Sequence, residues 1–299
     1  MTVPASEDAW GEFDRIVDRE LTDPWTGSGD ARRYVPDVET FAELLEVPLQ
    51  LELSHTTGLP AKAVDVWLSY ELRRAGFGAD EVWPRPRAPR VLPREVTQLL
   101  EGLPRTLREQ VASRIASNSV PKVGSSDAKI LGRAYEKQVD VVMARWSRGP
   151  ELLVSTKRMD RSLSNNAFNR IEESYGDAHN LRGRHPLAAL GYVMVLRSSV
   201  FDTSAKPALR LVDLIARLGA ETGLYDATSV VVASWNGGEI DIDAGEHVSI
   251  GSDPVPAELA VDRFLMRMVD AVLDRTPVTA HVRARELRRG EELVVDDAD

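Results

Sequence analysis

The sequence predicts an α/β protein: a mixed central sheet flanked by helices, preceded by a mainly α-helical N-terminal region. Three observations predict it. Through the first ~120 residues apolar positions recur at helical rather than alternating spacing. After "SNSVPKVGSSD", short β-branched runs appear: "VDVVMAR", "ELLVSTKRM", "GYVMVLR" and "ATSVVVASW". Amphipathic segments separate the later runs, so a helix is followed by two strands and then helix, strand, helix, strand, as a sheet layered by helices requires. The 299 residues suit a helical region over 1–120 and an α/β domain over 121–299.

In chain order, a short helix is expected near 7–20, followed by the turn-rich "TDPWTGSGDARR". "DVETFAELLEVPLQLELSH" is helical, with Asp37 as its cap. "LPAKAVDVWLSYELRRAGFG" is a second helix that ends near Gly76 or Gly78. The proline- and arginine-rich "WPRPRAPRVLPREV" is an extended connector, and helix returns through "PREVTQLLEGLPRTLREQVASRIASN". "SSDAKILGRAYEKQ" is expected to be a helix with a Ser/Asp start. "SLSNNAFNRIEESYGDAHNL", "PALRLVDLIARLGAET" and "PAELAVDRFLMRMVDAVLDRT" are later helices, "EIDID" is a short edge strand, and the acidic tail frays.

Composition narrows the chemistry. There are no cysteines, which removes disulfides, Cys-ligated zinc and thiol catalysis and fits a reducing cytoplasm. No apolar run is long enough to span a bilayer, and the acidic N-terminus lacks the features of a secretory signal. The net charge is −10, yet residues 121–200 carry 13 Lys and Arg against 8 Asp and Glu, a local +5. Such a basic middle segment suits a polyanion, although chance patchiness gives the same count.

The segment "VDVVMARWSRGPELLVSTKRM", from Val139 to Met159, reads as a hairpin with Asp140 on its first strand and Lys157 on its second. If the strands pair, the carboxylate and ammonium meet at one end of the sheet. A buried pair of this kind is seldom kept for stability alone. It makes sense beside a divalent cation and an anionic substrate. A surface acid at a strand end and a solvated edge lysine would give the same pattern.

These residues resemble the core of the PD-(D/E)XK nucleases, the restriction-endonuclease-like superfamily, over about residues 123–235. In that pattern an acid on one strand is followed by acid-x-Lys on the next. Asp140 matches the first acid and Lys157 the lysine, while Val139 stands for the proline and Ser155 for the second acid. Some members with Ser-x-Lys take the missing acid from the following helix. Here Glu172, 15 positions beyond Lys157, is favoured over Glu173, because Phe168, Ile171 and Tyr175 mark the packed face. Glu136, read as late in the preceding helix, resembles an additional acidic ligand and is equally well a solvated helix acid. The resemblance implies Asp140, Glu172 and Glu136 as ligands of Mg²⁺, with Lys157 orienting the attacking water.

Arg158, Arg161, Asn165, Asn169, Arg170, Arg182 and Arg184 are candidate contacts to DNA, since Asn and Arg bind phosphates and base edges. Helix capping accounts for Asn180 and Gly183 equally well, and His179 and His185 lack a zinc spacing. Ser54–Phe77 faintly resembles a helix-turn-helix, although plain helix packing is the commoner origin of such a pair. The expected activity is a cytoplasmic Mg²⁺-dependent endonuclease of restriction or defence type. It is expected to act on double-stranded DNA as a homodimer. The alternative is a catalytically degenerate nuclease-fold module that binds DNA or assembles with partners, which Ser155 motivates.

Overall fold

The structure, a computed structural model, describes residues 5–53, 58–117, 123–160, 163, 165–236 and 245–293. The N-terminal region contains α1 (Ala5–Val17), the short pair β1 (Trp25–Thr26) and β2 (Arg33–Tyr34), α2 (Val38–Gln50), α3 (Leu59–Arg74), β3 (Val82–Trp83), α4 (Arg94–Glu101) and α5 (Arg105–Ala116). Next come β4 (Ala128–Leu131), β5 (Glu136–Val139), β6 (Val141–Arg145), β7 (Gly149–Met159), α6 (Asn165–Arg182) and β8 (Ala189–Arg197). The chain continues with α7 (Ser199–Thr203), α8 (Ala205–Ala220), β9 (Ala227–Ser234), β10 (Ser249–Gly251), α9 (Val261–Arg275) and α10 (Val282–Arg289).

The central sheet has six strands in the order β10-β9-β8-β7-β6-β3. Strands β7, β8 and β9 run parallel, joined by crossovers through α6 and α8. The neighbours β6 and β10 run antiparallel to them. This is the mixed α/β sheet expected, with helices on both faces. Both faces are covered, so the central strands are nearly continuous apolar runs instead of alternating ones. On one face Val141, Met143, Leu152 and Val154 pack with Phe41, Trp67, Leu68 and Phe264 from α2, α3 and α9. On the other, Val142, Leu153, Tyr192 and Met194 pack under Ile171 and Leu181 of α6 and Leu211 and Ile215 of α8.

Local signals explain much of this. Asp37 caps α2 as expected, accepting from the Thr40 amide at 2.9 Å. Helix α3 is buried on nearly all sides, from Ala63 to Arg74, so it is a core helix with no face to offer a DNA groove. Gly191 lets α9 approach β8: a Cβ there would stand 2.8 Å from Phe264 Cζ.

One element differs outright. The expected helix "SSDAKILGRAYEKQ" is instead a two-stranded ribbon, with β4 antiparallel to β5 and Leu131 opposite Glu136. Its turn is held from outside. Asn180 of α6 accepts from the amides of Ala134 and Tyr135 and donates to the Tyr135 carbonyl. Gly132 fits beneath it because a Cβ would meet the Asn180 amide at 2.1 Å. Asn180 thus caps a distant turn and not its own helix. The strand expected at "EIDID" and the tail beyond residue 293 lie outside the described residues.

Asp226 joins the N-terminal ends of β8 and β9. It accepts from the Leu190 amide, Arg182 and Arg275. Burial alone would raise its pKa, but the bonds from Arg275 and Arg182 outweigh that and hold it below the usual carboxylate range. Asp226→Ala is expected to cost about 2–3 kcal/mol, because two guanidiniums lose their partner in a mostly buried setting. Urea denaturation measures this, and a loss below about 0.5 kcal/mol would contradict it.

Candidate functional site

The hairpin forms as expected, but Asp140 lies in neither strand. It is the bend between β5 and β6. In one continuous strand Val139 and Val141 would share a face. Here Val139 packs on the α6 side and Val141 on the α3 side, because the chain passes from the ribbon into the main sheet at Asp140. The β6–β7 ladder ends at Val141 opposite Val154. Beyond it, the Thr156 amide donates to Asp140 Oδ2 at 2.8 Å, so a side chain replaces the missing ladder acceptor.

Lys157 follows at once. Its Nζ lies 3.9 Å from Asp140 Oδ2 and donates to the Thr156 carbonyl at 2.9 Å. Both side chains are partly exposed, at 29% and 19%. The acid and lysine are therefore adjacent at the C-terminal end of the parallel strands, where open α/β sheets place their ligands.

The second carboxylate comes from an unexpected place. Strand alternation sends Thr156 to the α3 face, and its hydroxyl donates to Asp65 Oδ1 of α3 at 2.5 Å. One residue thus links two carboxylates, Asp140 through its amide and Asp65 through its hydroxyl. Asp65 is 1% exposed. Burial, then the charge of Asp140, raises its pKa to about 7, against the opposing pull of Lys62 and Thr156. Lys62, one turn earlier, lies 3.2 Å from Asp65 Oδ2 and 3.4 Å from Asp127 Oδ1. Sequence reasoning missed Asp65, Lys62 and Asp127. The one local signal was a carboxylate inside the apolar run "AVDVWL".

Among the described residues neither helix acid makes an ion pair or hydrogen bond with Asp140, Lys157 or Asp65. The buried stripe of α6 is Ala167, Ile171, Ser174, Ala178 and Leu181. Phe168, expected on that stripe, is half-buried under the Arg210 guanidinium. Glu172 is exposed, with no hydrogen-bond or ion-pair partner among the described residues. Glu173 pairs with Arg170 at 2.8 Å. The leading charges acting on buried Tyr192, beneath α6, are Arg170, Glu173, Asp140 and Asp177, without Glu172. Glu136 is exposed on β5, not on a helix, and four strand residues put it roughly 13 Å from Asp140.

The candidate DNA contacts divide. Arg158 is 4% exposed; it donates to the Pro60 carbonyl and Asp160 and lies against the Trp235 ring. Arg182 holds the Leu224 and Ala188 carbonyls and Asp226. Both are structural, so neither is free to grip phosphate. Asn169, Arg170 and Arg184 are exposed. Arg161 and the Asn165 side chain lie outside the described residues. His185 donates to the Leu131 carbonyl, fastening the ribbon.

Among the described residues, no group of three or more His, Asp or Glu side chains is arranged to hold a metal ion. Mg²⁺ needs fewer, since it commonly takes one or two carboxylates and completes its shell with water and substrate phosphate. Asp140 fits that use: Oδ1 accepts no hydrogen bond among the described residues. Asp65 is bonded through both oxygens, to Thr156 and to Lys62, so it would serve as a second donor only by giving up one of them.

The raised pKa of Asp65 has a signed consequence. Between its ordinary 3.8 and about 7 the folded protein holds a proton that the unfolded chain has released. The associated stability is complete below the lower value and declines as pH rises to the upper one. Measured against Asp65→Asn, which keeps the Thr156 acceptor, the wild type is expected to lose ground between about pH 5 and about pH 8. A stability difference equal at both pH values would rule this out. No protein-family model, curated protein or solved structure matches the chain, so its functional reading rests on the chemistry of Asp140, Lys157 and Asp65.

Proposed function

We propose that this protein is a Mg²⁺-dependent DNA endonuclease of restriction or defence type, built on a PD-(D/E)XK-like site. The observation that supports it is the 3.9 Å approach of Lys157 to Asp140 at the end of β6 and β7. A second carboxylate, Asp65, is tied to the same point through Thr156. Asp65 takes the role that the sequence suggested for Glu172, and it makes Ser155 tolerable.

Asp140 would hold the cation by its free oxygen, with Asp65 as a second carboxylate if it released Thr156 or Lys62. A Mg²⁺ ion held there would supply Lewis-acid stabilisation of the scissile phosphate and would make a bound water more acidic. The Lys157 ammonium, partly in solvent, neutralises charge that develops on the phosphoryl oxygens and orients the attacking water. The water oxygen bonds to phosphorus as the P–O3′ bond breaks. One water proton passes to the departing 3′ oxygen through solvent, leaving a 5′-phosphate and a 3′-hydroxyl. Exposed Lys129, Arg133, Asn169 and Arg184 lie on the ribbon and on or just after α6, and they supply phosphate contacts. Cutting both strands fits a homodimer whose two-fold axis matches that of a palindromic site.

A second reading, a non-cleaving DNA-binding or assembly module, draws on Ser155 and on Asp65 already being engaged by Lys62 and Thr156. Incubation of the full chain with duplex DNA and Mg²⁺ separates the two. Asp140→Ala and Lys157→Ala are each expected to lower cleavage by about 100-fold or more while DNA binding persists. Glu172→Ala is expected to leave cleavage unchanged. DNA binding without Mg²⁺-dependent cleavage in the wild type would establish the module, and full activity in Asp140→Ala would end the nuclease reading.

A further inference from the structure

Lys62 is the second lysine of the cluster, and the nuclease mechanism has no use for it. It stands in α3, and its ammonium pairs with carboxylates from two separate parts of the chain and feels the charge of a third. Asp65 comes from its own helix at 3.2 Å. Asp127, just before β4, is at 3.4 Å. Asp140, at the bend before β6, adds its charge to the same ammonium. An ordinary i,i+3 helix pair would account for Asp65 alone. Two acids within ion-pair reach of one ammonium, with the charge of a third acting on it, gather like charges that would otherwise repel one another.

The remaining groups are few. Gln138 donates to Asp127 Oδ1 at 3.0 Å, and the Thr156 hydroxyl takes Asp65 Oδ1. With Lys157 included, three carboxylates meet two ammoniums and the formal charge is −1. Without Lys62 it would be −2. The Lys62 side chain is 24% exposed, so its charge is only partly screened by water.

We propose that the Lys62 ammonium is the resident cation of this cluster. A divalent ion then enters at Asp140 into a site already largely neutralised, and it is held firmly only when a phosphodiester adds its own negative charge. Metal and DNA binding are thereby coupled, each strengthening the other by the same factor. The inference rests on the reading of Asp140 as a cation ligand.

The test uses the full chain and Mn²⁺, followed by electron paramagnetic resonance with and without duplex DNA. Without DNA, Lys62→Met and Lys62→Gln are expected to bind Mn²⁺ at least about tenfold more tightly than wild type, as removal of a nearby positive charge demands. Lys62→Arg should match wild type, and Asp140→Ala placed in the Lys62→Met background should abolish the gain. DNA should tighten Mn²⁺ binding more in wild type than in Lys62→Met. Two neutral variants that fold, by circular dichroism, yet bind Mn²⁺ with wild-type affinity would overturn the role of Lys62 and leave Asp140 as a ligand. Tight Mn²⁺ binding by wild type without DNA would do the same. Absence of Mn²⁺ binding in every variant, with or without DNA, would overturn both claims.

Discussion

Thr156 carries the geometry on which the rest of the site depends. Where β6 leaves the sheet, the amide of Thr156 loses its backbone acceptor, and a buried unpaired amide costs about 1–3 kcal/mol. Asp140 supplies the acceptor, which ties the bend between ribbon and sheet to β7. The hydroxyl of the same residue meets Asp65, which ties β7 to α3. A strand end, a bend and a helix from the N-terminal region are thus locked together by one threonine. Two like charges are brought close because of it, and the raised pKa of Asp65 records its burial first and the charge of Asp140 second.

Three other well-shielded carboxylates are matched by close cationic partners. Glu71 meets Arg74 and Tyr34, and Asp226 meets two arginines. At the opposite end of the sheet Glu81 is engaged by Arg94, Arg145 and His281, and His281 also reaches Glu151. That network fastens the start of α10 to β3 and the hairpin. Asp140 is different: its nearest ammonium stands 3.9 Å away, beyond hydrogen-bond reach. Asp140 therefore accepts one amide bond but, among the described residues, has no counter-ion in hydrogen-bond contact, unlike Glu71, Glu81 and Asp226.

The parts legible in the sequence were those set by local chemistry. β-branched runs marked β6, β7, β8 and β9, Asp37 announced α2, and the spacing of Asp140 and Lys157 was enough to bring them together. The parts that were not legible depend on distant residues. The ribbon β4–β5 resembled a helix because its turn is stabilised by Asn180, about 45 residues away, and not by its own turn chemistry. The phase of α6 was misjudged by one residue, since small Ala167 and Ser174 fill its buried stripe and the larger Phe168 stays at the margin. That slip moved Glu172 towards the site on paper. Asp65 was hidden by separation along the chain, because treating the helical region apart from the sheet concealed a contact spanning 91 residues.

The ribbon has a mechanical consequence. Its turn is fastened to α6 by Asn180, by Tyr135 to Asp177 at 3.0 Å and by Lys137 to Asp177 at 2.5 Å. Its other end runs directly into Asp140. The carboxylate is therefore the pivot of a short lever anchored at both ends, by α6 on one side and β7 on the other. Any load on the exposed outer face of the ribbon, carrying Lys129 and Leu131, is transmitted to the orientation of that carboxylate. A contact made by the ribbon would therefore bear on the poise of the acid.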